Sequence, residues 1–219
     1  MRIIITGSSR GIGKSVSEYF LDKGFEVFGI DLLESSINHE KYRHFVGDIS
    51  KIDQLPDIED VDYIFNNAGL QNSKDDITNN LKGAINVTEK YAFQNHIKSV
   101  LFNASASATS GFEFPEYAAS KAGLLGYMKN VATRIAKYQA TCNSLSLGGV
   151  LTESNKEIID NKELWEKVMS VTPLKKWMDL NEVNEWVYFL LVTNKSMTGE
   201  DIFIDNGEYK LNNTFVWPK

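Results

Sequence analysis

The stretch RIIITGSSRGIGKSVSEYF, residues 2–20, decides how the rest of the chain is read. It opens on Ile3, Ile4 and Ile5, a short apolar run ending near glycine, which predicts a buried strand. It closes on Val16, Tyr19 and Phe20 at helical spacing, with Gly24 as a stop. Between the two lie Gly7, Gly11 and Gly13. A strand that turns directly into a helix needs residues tolerant of positive φ. Backbone without side chains also lets N–H groups approach a pyrophosphate, and the helix start adds its positive dipole end. Glycine-rich turns are common, so composition alone is a weak signal. Placement after the first strand and before the first helix gives it meaning. The expectation is a dinucleotide site formed by Gly7, Ser9, Arg10, Gly11, Ile12 and Gly13.

The second strand, FEVFGID, ends at Asp31. A carboxylate there can accept hydrogen bonds from ribose hydroxyls and would repel a 2′-phosphate. The plainer alternative is an aspartate capping a turn. Arg10 argues the other way, since a cation in the glycine loop could pair with that phosphate. On balance NAD is expected, with NADP possible.

Further along, β-branched runs keep alternating with amphipathic stretches. YRHFVGD, VDYIFNNAG, KSVLFNAS, ATCNSLSLGG and EDIFIDNG read as strands. TNNLKGAINVTEKYAFQN and PEYAASKAGLLGYMKNVATRIAKY read as helices, the latter with Pro115 near its first turn. Two more helical segments lie around Lys162–Val171 and 182–193. Strands separated by helices predict an α/β domain spanning residues 1–219, a parallel sheet between two helix layers. There is no internal repeat, low-complexity tract or linker.

Bulk properties exclude several classes. A net charge of −6 gives no electrostatic case for nucleic acid or an anionic membrane. The single Cys142 forbids an intramolecular disulfide, and His39, His44 and His96 show no metal-ligand spacing with it, so no metal site is expected. No apolar run suffices to span a bilayer, and MRIIITG leads straight into structure without a signal peptide, so cytoplasm is the expected location.

The helix containing EYAASKAG pairs Tyr117 with Lys121 at a spacing of four. Alone, such a pair is most simply a core-edge aromatic and a solvated cation. In company it is not. TGSSRGIG at residues 6–13, Gly47–Asp48, NNAG at 66–69, Asn80 in NNLKG, Tyr117 with Lys121, and NSLSLGGVLT at 143–152 occur in one order. TPLKKW and MTGEDIFIDNG follow. Together they resemble the short-chain dehydrogenase/reductase family over nearly the whole chain, in the compact 3-oxoacyl-carrier-protein-reductase-like form. The resemblance implies a three-layer, doubly wound parallel sheet (a Rossmann fold) and a nicotinamide-dependent oxidoreductase acting on a secondary alcohol or carbonyl. It implies cofactor contacts from Asp48, Ile49, Asn67, Ala68, Gly69, Gly148, Val150 and Thr152, in addition to Tyr117 and Lys121. It also implies catalytic roles for Asn80, a serine, Tyr117 and Lys121, and a homo-oligomer, a dimer or tetramer.

Residues four apart on a helix share a face. Lys121 would therefore sit one turn from Tyr117 and favour its phenolate, whose ordinary pKa is about 10. Such a phenol can exchange a proton with a substrate oxygen. The family assigns Asn80 a water in a proton relay and the serine a hydrogen bond to the substrate. Here NASASATSG offers Ser105, twelve residues before Tyr117, with Ser107 as runner-up. Leu147 stands where the family has a proline, which suggests a more mobile nicotinamide loop. Asn206 replaces a glycine in the terminal motif. The stretches 48–66 and 69–80 are short for the family, so their helices are expected truncated. Residues 153–180 are expected to cover the substrate. Their Ile158, Ile159, Leu164, Trp165, Val168 and Met169 read first as a packed face and second as a specificity pocket. Small residues Ala118, Ala119, Ala122, Gly123 and Gly126 suit either internal packing or a subunit interface. A non-catalytic dinucleotide-binding sensor or scaffold is the alternative, motivated by the insecure serine and the shortened walls.

Overall fold

The isoleucine run forms β1 (Arg2–Thr6), and its side chains alternate between two cores. Ile4 enters one, while Ile3 and Ile5 enter the other, all fully buried. That two-sided burial is why the strand is apolar throughout and not alternating. This computed structural model describes residues 1–111, 114–209 and 211. The glycine loop leads to α1 (Gly11–Asp22), followed by β2 (Glu26–Asp31), β3 (Tyr42–Val46) and β4 (Tyr63–Asn66). Next come α2 (Gly83–Tyr91), β5 (Ser99–Asn103), the single turn α3 (Ser107–Ser110) and α4 (Pro115–Ile135). β6 (Thr141–Leu147), α5 (Lys156–Ile159), α6 (Lys162–Val171), α7 (Leu180–Tyr188) and β7 (Asp201–Ile204) complete the order.

The seven strands are parallel in the order β3-β2-β1-β4-β5-β6-β7. One core sets Val87 and Tyr91 of α2 and Leu124, Met128, Val131 and Ile135 of α4 against the sheet. The opposite core receives Val16 and Phe20 of α1 and Val183 and Val187 of α7. The predicted three-layer, doubly wound sheet is therefore the observed one. Strand order reverses between β1 and β4, so a crevice opens at their C-terminal ends.

The short stretches behave as their lengths dictate. Between β3 and β4 only a turn of 3-10 helix forms, Ile52–Gln54. After β4 no α-helix forms until α2, which is preceded by a π-helical segment, Ile77–Lys82. Helix α6 buries none of its residues: Leu164, Trp165, Val168 and Met169 stay partly exposed. The packed-face reading is thus corrected, for that face is only partly covered. Small residues on α4 divide by side. Ala118 is buried and Gly123 leaves room for Leu81, whereas Ala119, Ala122 and Gly126 are exposed. Asn206 sits at φ +56, a left-handed conformation asparagine tolerates better than most residues, which explains its exchange for glycine. Phe215 and Trp217, in the aromatic tail, lie outside the described residues.

Candidate active site

The glycine loop is shaped by close approach. A Cβ on Gly13 would stand 2.0 Å from Gly7 O, and one on Gly7, at φ +69, would stand 2.9 Å from Ala68 Cα. Gly11, at φ +53, has nothing within 4 Å of its missing side chain. Helix α1 begins there, with extended Arg10 as its N-cap and no side chain capping its first turn. Uncapped amide donors at a helix start, facing open space, fit a pyrophosphate. Arg10 is exposed and makes no ion pair among the described residues. Ser9 and Asp31 are bound to each other: Ser9 N donates to Asp31 Oδ2 at 2.9 Å, and Leu33 N to Oδ1 at 3.0 Å. Ser9 Oγ donates to Leu33 O at 2.9 Å. Asp31 is therefore a turn clamp, and each carboxylate oxygen keeps a second lone pair with which it could accept from a ligand.

Sequence reading missed the support beneath this loop. Tyr42 passes its hydroxyl over Gly29, where a Cβ would stand 2.2 Å from it, and donates to Ser8 Oγ at 3.1 Å. His44 bonds both Tyr42 Oη and Leu33 O, at 3.2 and 2.8 Å. The glycine inside FEVFGID was the available signal, for glycine inside a strand marks close approach.

Asp48, expected at the cofactor, is also held. Ser50 N and Oγ donate to Asp48 Oδ1 at 2.9 and 2.7 Å, and Lys51 Nζ lies 3.4 Å from Oδ2. Burial opposes ionisation of Asp48, but the Ser50 bonds and Lys51 outweigh it and keep the carboxyl below its ordinary pKa. The Ile49 side chain packs on Gly83, so only its backbone can face a ligand.

A polar tie crosses the C-terminal ends of three strands. Thr6 Oγ1 accepts from Asn67 N and Ala68 N, both at 3.0 Å. Asn67 Nδ2 donates to Thr6 O at 3.0 Å, and Asn67 Oδ1 accepts from Asn103 Nδ2 at 2.9 Å. Asn103 O then accepts from Lys121 Nζ at 2.7 Å. The Asn67 side chain is thus used to join strands, leaving backbone at 67–69 as its ligand-facing part. Asn103 was not foreseen in this role; only its position before the serines hinted at it.

Lys121 is 4% exposed, and its ammonium lies 5.6 Å from the Tyr117 ring centroid. The helix spacing predicted that shared face. Asn80, buried on the π segment, has its amide engaged: Oδ1 accepts from Leu70 N at 2.7 Å, and Nδ2 donates to Leu70 O and Ser120 Oγ at 2.8 and 3.0 Å. Ser120 Oγ donates onward to Tyr117 O at 2.7 Å. The side chain of Asn80 is therefore a brace between the 70s loop and α4. Gly69 closes this corner, its missing Cβ 3.1 Å from Asn80 Oδ1 and 3.5 Å from Lys121 Nζ.

Ser105 and Ser107 are both buried, and the structure brings them together. Ser107 donates twice to Ser105 Oγ, from N at 3.2 Å and from Oγ at 2.9 Å. Ser105 thus accepts two bonds, and among the described residues it gives its own hydrogen to none.

The loop after β6 is pinned, contrary to the mobility expected from Leu147. Leu147 is 6% exposed and paired to Ile204. Gly148 N donates to Ile204 O at 2.9 Å, Met178 N to Gly149 O at 3.2 Å, and Leu151 N to Met178 O at 2.9 Å. Backbone pairing on both sides replaces the stiffness a proline would add. Val150 is buried; Thr152 is partly exposed, its hydroxyl 2.9 Å from Ser154 Oγ. A cavity of about 320 Å³ lies between this loop and α1, lined by Gly11, Ser15, Leu151 and Thr152 among others. No group of residues suited to a metal ion occurs among the described residues, and no described helix is long and apolar enough to cross a membrane.

Known proteins resemble this chain in sequence and fold. A family model described as enoyl-(acyl carrier protein) reductase matches residues 7–208. A 3-oxoacyl-acyl-carrier-protein reductase of Buchnera aphidicola is 26% identical over 238 residues, covering 94% of this chain and 96% of that protein. Among solved structures, a short-chain dehydrogenase family protein from Francisella tularensis is 27% identical with a TM-score of 0.81, covering 94% of this chain and 98% of that one. A 4-hydroxyisoleucine dehydrogenase mutant complexed with NADH and succinate is 25% identical with a TM-score of 0.86, covering 97% of this chain and 100% of that one. With its glycine loop, parallel sheet and tyrosine–lysine helix, the chain belongs to the short-chain dehydrogenase/reductase family and is a nicotinamide-dependent hydride-transfer oxidoreductase.

Proposed function

We propose that the protein is an NAD(H)-preferring alcohol dehydrogenase or carbonyl reductase with Tyr117 as its general acid and base. The observation that carries this reading is the buried Lys121 ammonium, 2.7 Å from Asn103 O and one helical turn from the Tyr117 ring. A cation held there favours the phenolate over the phenol. In oxidation Tyr117 takes the proton of the substrate hydroxyl; in reduction it returns one to the carbonyl oxygen. Ser105, with its hydrogen uncommitted, donates to that oxygen, and Ser107 orients Ser105 through the two bonds it gives. Asn80 braces α4 through Ser120 and offers its carbonyl to a relay water. The bound nicotinamide supplies or accepts the hydride.

Asp31 and the uncapped start of α1 support the cofactor assignment, with Val150 and Thr152 at the nicotinamide end. NADH is bound in the 4-hydroxyisoleucine dehydrogenase complex and NADP in a similar candidate 2-deoxy-d-gluconate 3-dehydrogenase, so the preference for NAD rests on Asp31. Residues 153–180 are proposed to cover the substrate, consistent with the partly exposed apolar side of α6. Exposed Ala119, Ala122 and Gly126 on α4 support a homo-oligomer, and the cytoplasm remains the proposed location. The non-catalytic alternative was motivated by the insecure serine and the shortened walls; the walls are short as expected, and catalysis is favoured by similar proteins named as reductases and dehydrogenases. A panel of secondary alcohols and ketones, read by absorbance of the reduced nicotinamide, tests the reaction class. Turnover with at least one class is expected; no turnover with any, despite cofactor binding, would contradict it.

A further inference from the structure

Gly149 lies inside the loop that carries Val150 and Thr152, and the space beside it is filled by Trp177. A Cβ on Gly149 would stand 2.0 Å from Trp177 Cε2, 2.1 Å from Nε1 and 2.2 Å from Cδ2. The indole therefore lies directly on the loop backbone. Trp177 is 8% exposed, and its N–H has no hydrogen-bond partner among the described residues. Shape alone holds the ring, with no directional bond to re-seat it if the contact is lost. Its second support is Trp165 of α6, edge-on at 5.3 Å and 79°. The next residue, Met178, bonds Gly149 O and Leu151 N and forms a bridge with Val150. Helix α6, which buries none of its residues, thus meets the loop through one edge-to-face pair of indoles.

We propose that Trp177 is a positioning residue for the nicotinamide end of the cofactor: seated on Gly149 and braced by Trp165, its indole sets where Val150 and Thr152 stand. This rests on the assignment of that loop to the nicotinamide. The glycine is required because any side chain would occupy the indole's place, and the indole fills the space that Gly149 leaves without a side chain. Through Trp165 the same contact links the loop to the segment over the substrate.

The test compares binding of NADH with binding of ADP-ribose, which lacks the nicotinamide, to the intact chain by calorimetry. Trp177→Ala is expected to weaken NADH about tenfold while leaving ADP-ribose within about twofold, with unchanged circular dichroism. Gly149→Ala is expected to weaken NADH by a similar factor, because its Cβ drives the indole from its seat. Gly149→Ala combined with Trp177→Ala should lose about as much as either single variant and not the product of the two, since both act through the same seat. Equal losses for both ligands in Trp177→Ala would mean a merely structural residue and overturn the proposal. So would wild-type NADH affinity in Gly149→Ala, or a double variant whose loss is the product of the two single losses. Thr152→Ala tests the loop assignment by itself. An unchanged NADH to ADP-ribose ratio there overturns that assignment and the proposal with it. A lowered ratio there, with Trp177→Ala unaffected, overturns the proposal alone.

Discussion

Single side chains divide into those whose roles follow from spacing and those whose roles follow from packing. Tyr117 and Lys121 were legible because four residues on a helix fix a common face. Ser105 was legible only as a choice between two, since a gapped loop hides which hydroxyl points where. The bonds that Ser107 gives to Ser105 supply the rest and lead to a paired prediction. Ser105→Ala should lower kcat about a hundredfold, as loss of a donor to a developing oxyanion does. Ser107→Ala, acting only through Ser105, should lower it by about tenfold or less; steady-state rates of both variants check the order. Asp31 carries a second residue-scale prediction. Asp31→Ser should move the NADH to NADPH affinity ratio toward NADPH by about tenfold, because a carboxylate no longer faces the 2′-phosphate. It should also weaken NADH itself, since Ser9 N and Leu33 N lose their acceptor. Fluorescence titration with both cofactors reads both effects. The Leu33 half of that clamp is the turn-capping alternative named for Asp31, whereas the Ser9 bond and the Asn67–Asn103 link were not legible, because bonds between the ends of different strands leave no periodic trace in sequence.

Elements were read more easily than their joints. Every long helix and each of the seven strands follows from apolar periodicity and glycine punctuation. The π segment Ile77–Lys82 does not, because helix propensity cannot distinguish a π turn from an α turn. Trp177 was read only as the end of TPLKKW, with no role of its own, and the doubled glycine at 148–149 was the hint of what lies on it. Helices α2 and α4 are joined by Arg134, whose Nη1 and Nη2 donate to Glu89 at 2.6 and 2.8 Å, while Tyr127 Oη donates to Glu89 at 2.8 Å. The Arg134 bond, partly opposed by burial and helped by Tyr127, lowers the Glu89 pKa. A depressed carboxylate contributes stability above its unfolded pKa and loses it as pH falls through the folded one. Glu89→Gln should therefore cost about 0.5–1 kcal/mol at pH 7, discounted because the pair is partly exposed. The gap to wild type should close as pH falls below about 4. Thermal unfolding across that range checks it, and a gap that widens toward acid would refute the sign.

At the scale of the molecule, the doubly wound sheet puts everything chemical at one edge. The glycine loop ends β1, Asp31 ends β2, Asn67 follows β4 and the serines follow β5. This concentration was legible from motif order alone, because parallel strands with right-handed crossovers leave few other arrangements. The outer face of α4 raises a question at the same scale, since Ala119, Ala122 and Gly126 are exposed on a helix that also carries the site. If that face joins two copies, Ala122→Arg should shift the sedimentation mass to a smaller species, and an unchanged mass would remove α4 from the interface. In the proposed division of labour, Tyr117 moves the proton and the rest of the edge holds the cofactor. Tyr117→Phe, assayed for turnover and NADH affinity in the same preparation, separates the two roles. A fall in kcat of about a hundredfold or more is expected, with NADH affinity within about twofold of wild type. Turnover at the wild-type rate in Tyr117→Phe would refute that division.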